Sequence, residues 1–168
     1  MAKKGLPYKE GDWFGVPLRT GGYAVGLVAR ARRGGKILFG YFFGPRRERL
    51  PTAEELNRYS PGEAILHGRF GDLGLLNGEW PVLGQLGAWD RRAWPMPPLA
   101  RIDEHAGKAW KVTYSEDDPS VVLDESPCDP TSANRFSRDS LMGYGAVEIR
   151  LTKLLSSQAP STVGGSRG

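Results

Sequence analysis

Apolar and polar positions alternate along the first third of the chain, and this alternation predicts three β-strands. The strands are expected at Asp12–Leu18, Tyr23–Arg32 and Ile37–Phe43. In the second of them, every other residue from Tyr23 to Ala31 is Tyr, Val, Leu or Ala, which is typical of a strand with one buried face. The three strands therefore predict an antiparallel N-terminal sheet.

Glycines punctuate these strands. The sequence Arg33–Lys36, with two central glycines, is expected to close a hairpin between the second and third strands. Gly26 and Gly40 lie inside the predicted strands, where glycine often marks a bulge or strong coiling. The pattern therefore favours a curved, SH3-like sheet.

The middle of the chain predicts a short helix and two more strands. Thr52 can cap a helix, and Glu55 three residues later completes a capping box, so a helix is expected from there to about Tyr59. The alternating sequences Ala64–Phe70 and Lys108–Tyr114 predict strands.

Between these two strands lies a segment, Arg69–Pro98, that is rich in glycine, proline and tryptophan. Such a composition forbids a long helix, so loops and short strands wrapped over a core are expected. Large aromatic rings must still find area to bury, and we predict largely buried indoles at Trp80, Trp94 and Trp110. Trp80 and Trp94 lie in this segment together with Trp89, whereas Trp110 belongs to the strand that follows it.

The C-terminal part is less regular. Asp124–Asp139 is predicted to be polar and irregular, with one helical turn near Asn134. Ala146–Leu155 fits either a helical face or a strand, and we favour the helix. A single α+β domain of mainly antiparallel strands is expected over residues 1–155, followed by a disordered low-complexity tail at residues 156–168.

Charge is distributed unevenly. Residues 1–50 hold 11 Lys or Arg and 3 Asp or Glu, whereas eight acids between Asp103 and Asp129 face only Lys108 and Lys111. A basic half suggests nucleic acid or an acidic partner, and an acidic stretch suggests a basic partner. Mutual neutralisation of the two halves across the fold is an equally good explanation.

The candidate chemistry is sparse. His67 and His105 have no spacing typical of a metal site, and Cys128 lies between prolines without an activating base. No serine lies in a nucleophile elbow. We therefore predict no catalytic residue, metal or cofactor. No apolar run is long enough for a membrane span or a signal peptide, so a cytoplasmic location is expected.

Basic residues interleaved with Tyr41, Phe42 and Phe43 suggest a second class of function, a small nucleic-acid-binding module. We favour the alternative in which these aromatic residues fill the core and the arginines are solvated, so nucleic-acid binding is not expected. The basic set is Arg30, Arg32, Arg33, Lys36, Arg46, Arg47 and Arg49.

Seven short motifs between Gly11 and Pro81 resemble a known family, and the resemblance covers roughly residues 8 to 115. They are Gly11-Asp12-Trp13-Phe14, Val16-Pro17-Leu18, Gly22-Tyr23, Gly26-Leu27-Val28, Tyr41-Phe42-Phe43-Gly44, Arg69-Phe70-Gly71-Asp72 and Trp80-Pro81. The chain resembles the immunity protein 26 family of bacterial polymorphic toxin systems. The resemblance implies a cytoplasmic, non-catalytic inhibitor that binds a co-encoded toxin. Some relatives carry a phosphotriesterase label, which implies a metal-dependent hydrolase as the alternative.

Charge then suggests the contact surface. Toxins that cleave nucleic acid are basic, so an acidic inhibitor surface would compete with their substrate. The predicted toxin-binding set is Glu116, Asp117, Asp118, Asp124, Glu125 and Asp129. A second candidate set is the edge of the tryptophan-rich segment, with Asp72, Glu79, Asp90 and Arg91.

Overall fold

The computed structural model describes residues 5–156, which form two mainly antiparallel sheets and a few helices. The α+β class is confirmed. The strands are β1 (Asp12–Pro17), β2 (Tyr23–Ala31), β3 (Ile37–Arg47), β4 (Leu66–Gly71), β5 (Val82–Gln85), β6 (Leu99–Asp103), β7 (Lys108–Ser115), β8 (Asp118–Cys128) and β9 (Leu141–Met142). The helices are α1 (Ala53–Leu56), α2 (Leu73–Leu76), α3 (Pro130–Ala133) and α4 (Tyr144–Ser156), with 3-10 turns at Pro61–Glu63 and Arg91–Ala93.

The larger sheet has six strands in the order β5-β1-β2-β3-β4-β9. Its pairs are antiparallel except for β4 with β9, which run parallel. The three predicted N-terminal strands are its β1, β2 and β3, and the Arg33–Lys36 turn joins the last two as expected. The likeness to an SH3-like sheet stays a prediction.

This sheet is buried on both faces, which corrects the expectation of one buried face in β2. Val25 and Leu27 pack with Leu99 and Val112 of the smaller sheet on one side. Residues of the opposite face, such as Val28, pack against α4 and the tryptophan-rich segment. A strand that is covered on both sides is apolar at nearly every position, so alternation alone could not show the second face.

The glycines inside these strands make room for aromatic rings, and the predicted bulges lie elsewhere. A Cβ on Gly26 would come within 2.4 Å of Phe14, and one on Gly40 within 2.7 Å of Phe70. The register of β2 against β3 instead shifts between Tyr23 and Val25 and between Val28 and Arg30. The two glycines therefore serve the packing of Phe14 and Phe70 across the sheet.

The smaller sheet has three strands in the order β6-β7-β8. The predicted irregular segment Asp124–Asp139 is wrong in its first part, because Asp124 to Cys128 complete β8. Its predicted helical turn is present as α3, which packs with Cys128 on the outer face of this sheet. The register of β8 against β7 shifts on both sides of Tyr114, whose partner is Val122. Between the partners of Thr113 and Tyr114, β8 has one additional residue, and between those of Tyr114 and Ser115 it has three.

Two of the three predicted tryptophan anchors are buried. Trp80 is 1% exposed, stacks on Phe14 with ring centroids 5.5 Å apart, and donates to Glu148 of α4 at 2.9 Å. Trp94 is buried against Trp13 in the layer between the two sheets. Trp110 is only half-buried, because it packs on the core from one side and lines an open cleft on the other.

The helix predictions are confirmed, with α1 shorter and α4 longer than expected. The Thr52 hydroxyl accepts from the Glu55 N–H at 3.2 Å, and the Glu55 carboxylate accepts from the Thr52 N–H at 2.8 Å. This α1 ends at Leu56, three residues before the predicted end. The last helix, α4, includes Ser156, where the tail was expected to begin; the rest of that predicted tail lies outside the described residues. Among residues 5–156, no helix is long and apolar enough to cross a membrane.

Candidate functional site

The hairpin between β7 and β8 carries most of the predicted toxin-binding residues, and its tip is fixed to the larger sheet by a buried cation. Arg30 of β2 is 3% exposed and its guanidinium donates to Glu116 at the tip. The same guanidinium donates to the carbonyl oxygens of Ala29, Trp94 and Arg91 at 2.6, 2.9 and 3.1 Å. A buried arginine needs a counter-ion, so Glu116 has a structural role in addition to any contact with a partner.

The two residues after Glu116 also face arginines. Asp117 accepts from Arg91 at 3.1 Å, and Asp118 lies 3.4 Å from Arg32. Arg91 is held chiefly by Glu10, at 2.8 and 2.9 Å, and this hydrogen bonding raises the pKa of its guanidinium. Hydrogen bonding from the Ser120 hydroxyl is the main cause that lowers the pKa of Asp118, so this carboxylate stays ionised. The predicted neutralisation between acidic loop and basic hairpin is therefore present at this tip.

Farther along β8, the acidic residues face solvent. Asp124 is exposed and has no ion pair among the described residues. Glu125 pairs with Arg101 of β6, and both are exposed. Asp129 accepts from the Ser132 N–H at 3.2 Å and so caps α3. The hairpin thus carries five of the six predicted residues, and the sixth follows it directly.

An exposed apolar run lies between these acids and was missed in the sequence. Val121, Val122 and Leu123 are 45%, 43% and 65% exposed. They sit in β8, an outer strand of the smaller sheet, at the place where its register against β7 shifts. Three branched apolar residues within an acidic segment were a usable signal, because such residues are normally buried. The surface formed by Glu116–Glu125 is called the acidic edge below.

The second candidate set does not form one surface. Asp72 is buried, and it accepts from the Tyr8 hydroxyl at 2.7 Å and from the Lys36 N–H at 2.8 Å. Burial, followed by its own hydrogen bond to the Asp72 carboxylate, raises the pKa of Tyr8. Asp72 therefore connects the N-terminal segment to the β2–β3 hairpin. This corrects the expectation that it lies on an exposed edge. Glu79 is exposed, whereas Arg91 forms an ion pair with Asp117 of the acidic edge.

Asp90 of the same set has a local role. Its carboxylate accepts from the Arg92 N–H at 3.0 Å at the start of a 3-10 turn. This backbone hydrogen bond is the main cause that lowers the pKa of Asp90.

The two histidines are in unrelated environments. The His67 ring contacts the rings of Phe39 and Tyr41, and its Nδ1 is 3.2 Å from the Ser137 hydroxyl. Burial lowers the pKa of His67. His105 is exposed and lines an open cleft of about 890 Å³ with Arg101, Trp110 and Arg138. Within residues 5–156, no three His, Cys, Asp or Glu side chains are grouped so that they could hold a metal ion.

The basic set is dispersed and its aromatic residues are inside. Tyr41, Phe42 and Phe43 are buried, as the preferred interpretation of the sequence predicted. Burial is also the main cause that raises the pKa of Tyr41 to about 12. Of the arginines, Arg30 and Arg32 pair with acids of the β7–β8 hairpin. The described residues of this region therefore offer no stacked platform for bases.

Comparison with known proteins identifies the family of the chain. The chain has two sheets with an acidic outer strand. A family model described as Immunity protein 26 matches residues 9–111. The chain belongs to this family, as the resemblance in its sequence indicated. No curated protein and no solved structure matches it. The matched part begins before β1 and ends within β7, so β8 follows it in the chain.

Proposed function

We propose that this protein binds a co-encoded toxin in the cytoplasm of the cell that makes both, and neutralises it without catalysis. The observation that carries the proposal is membership of the immunity protein 26 family. An immunity protein of a polymorphic toxin system acts as an inhibitor, which must engage its toxin faster than the toxin damages the cell. Fast engagement calls for charge-steered association, and slow release calls for a well-packed contact.

We propose the acidic edge as the contact surface. From Glu116 to Asp129 the chain has six acids and no Lys or Arg. The steering charges are those in solvent, above all Asp117, which is 88% exposed, and Asp124. The exposed run Val121–Leu123 supplies apolar area beside them, which suits the usual arrangement of an apolar contact centre inside a polar rim.

Position in the chain supports the same surface. The family match ends at Lys111, before β8 begins at Asp118. A contact surface must fit one particular toxin, whereas the frame that holds it can be shared. An outer strand beyond the matched part suits that division of roles.

The two alternative functions, a metal-dependent hydrolase and a nucleic-acid-binding module, have less support. A metal-dependent hydrolase needs three or four grouped ligands. Among the described residues, His67 lies in an aromatic environment and no such group is found. A nucleic-acid-binding module needs exposed rings beside its cations, and Phe42 and Phe43 are buried.

A protection experiment tests the proposed function. The toxin domain encoded beside this chain is expressed from an inducible promoter, with and without the wild-type chain. We expect growth only when the chain is present, a stable complex of the two purified proteins, and an intact toxin after dissociation. Growth arrest in both cultures, or protection without complex formation, would refute neutralisation by binding.

A further inference from the structure

The two sheets of this protein end in four edges, and three of them are short or covered among the described residues. In the larger sheet, β5 has four residues and β9 has two. In the smaller sheet, the edge of β6 is covered, because the Ala100 N–H donates to Ser137 at 2.8 Å and the Asp139 N–H donates to the Ala100 carbonyl at 2.7 Å. The fourth edge is β8, which has eleven residues and is mostly exposed.

The covered edge of β6 shows which backbone groups of β8 point outward. The backbone N–H and C=O of Ala100 point away from β7. In an antiparallel pair the same holds for the residue opposite, so the N–H and C=O of Lys111 point away from β6 and toward Ser126 of β8. Backbone direction alternates along a strand, so the N–H and C=O of Glu125 point out of the sheet. Pro127, two residues farther, has no N–H and occupies an equivalent outward position, where proline is tolerated.

Protection of this edge is therefore uneven. Natural edge strands avoid unwanted pairing with prolines, bulges and charges. Pro119 and Pro127 lie near the two ends of β8, and its register against β7 shifts between Asp118 and Asp124. Even so, Val121–Leu123 is apolar and exposed, and the Glu125 N–H, just beyond the shifts, is an available donor.

We infer that β8 is a docking edge onto which the toxin adds a basic, extended segment as a further strand of the smaller sheet. The inference rests on the proposed function and names the geometry of that contact. Main-chain hydrogen bonds to β8 would supply affinity, and its exposed side chains would supply specificity, as in other cases of strand addition.

Charge selects this occupant over a second copy of the chain. Two copies paired edge to edge would bring two sets of Asp118, Asp124 and Glu125 together, and like charges on adjacent strands are destabilising. A basic segment would instead meet Asp124, which has no ion pair within the described part of the chain, and Asp117 at the hairpin tip.

A pair of variants separates the backbone from the side chain at one position. Glu125→Ala removes the carboxylate and keeps the backbone N–H. Glu125→Pro removes both, and it places the proline at a position whose backbone points out of the sheet, as that of the native Pro127 does. Binding to the purified toxin domain is measured for both, after their unfolding curves have been matched. We expect Glu125→Pro to bind at least about tenfold more weakly than Glu125→Ala, because one main-chain bond of the added strand is lost.

Amide hydrogen exchange of the wild-type chain gives a second reading that does not depend on any variant folding. The Glu125 amide should exchange freely in the isolated chain and become protected in the complex. Equal affinities of the two variants, together with an unprotected amide in a complex that does form, would overturn strand addition and leave the proposed function standing.

Two other results have distinct meanings. If the wild-type chain fails to bind the toxin domain at all, the proposed function fails and strand addition with it. If the isolated chain is a dimer by light scattering, with a protected Glu125 amide and a monomeric Glu125→Pro variant, the occupant is a second copy and the inference is wrong.

Discussion

The larger sheet and the acidic edge use similar apolar residues for opposite purposes. In β2 and β3, Val28 and Phe42 are fully buried against α4 and the tryptophan-rich segment. In β8, Val121 and Leu123 have the same kind of side chain but remain largely in water. The comparison teaches that the larger sheet provides stability, whereas β8 is free to provide a contact.

The largest expected effect is on the stable side. Trp80→Ala should lower the free energy of unfolding by about 3–5 kcal/mol, because it leaves a cavity beside Phe14 and leaves Glu148 without its indole donor. The matched change on the acidic edge, Leu123→Ala, should stay within about 0.5 kcal/mol, since this side chain is mostly exposed. Chemical denaturation measures both, and equal midpoints for the two variants would break the contrast.

The next effect comes from a glycine inside the larger sheet. Gly26→Ala should cost about 1–3 kcal/mol, because its Cβ would meet the Phe14 ring at 2.4 Å in a packed core. Gly62→Ala is the control, since no atom lies within 4 Å of a Cβ there. Thermal unfolding should separate the two variants, and an unchanged Gly26→Ala transition would show that the core can yield at this point.

The link between the two regions is the Arg30–Glu116 pair. Glu116→Gln should lower stability by about 1.5–3 kcal/mol, because the buried guanidinium loses its charged acceptor. Asp117→Asn, one residue away, should cost about 0–1 kcal/mol, because the carboxylate is in solvent. Urea denaturation of the two variants checks this, and a silent Glu116→Gln would mean that the three carbonyl contacts suffice for Arg30.

The smallest effect is on the pH dependence of stability. Burial lowers the pKa of His67 in the folded state below its usual value of about 6.5, so the unfolded chain binds the proton more readily. The contribution of neutral His67 to the free energy of unfolding is therefore fully present above pH about 6.5 and falls as the pH decreases toward the folded pKa. His67→Phe should show a smaller loss than wild type between pH 7 and 5, whereas the exposed His105→Gln should follow wild type. Parallel curves for all three proteins would refute this role of His67.

Much of the fold could be predicted from local sequence signals. The turn at Gly34 and Gly35 and the capping box at Thr52 act within a few residues, so they were found. The second buried face of β2 could not be predicted, because it is created by elements far along the chain, namely α4 and the segment around Trp80. For the same reason, Gly26 suggested a bulge, while its partner is a ring on a neighbouring strand.

The candidate site was predictable in composition but not in detail. The acidic residues stand out in the sequence, yet their different roles depend on long-range contacts. Glu116 holds a cation from β2, Asp72 binds Tyr8, and Asp124 has no ion pair in the described part of the chain. The free edge of β8 also required the structure, since only the strand order shows which strands are outermost.

The central claim is that the toxin is steered to the acidic edge, and the association rate of complex formation tests it most directly. Asp117→Lys combined with Asp124→Lys reverses two exposed charges and leaves Glu116 and Asp118 with their arginines. Glu79→Lys is the control, and it also tests the second candidate set. We expect the association rate of the double variant to fall by up to about tenfold and to depend less on salt, while Glu79→Lys matches wild type. An unchanged rate for a folded double variant, with slowing by Glu79→Lys instead, would contradict the account.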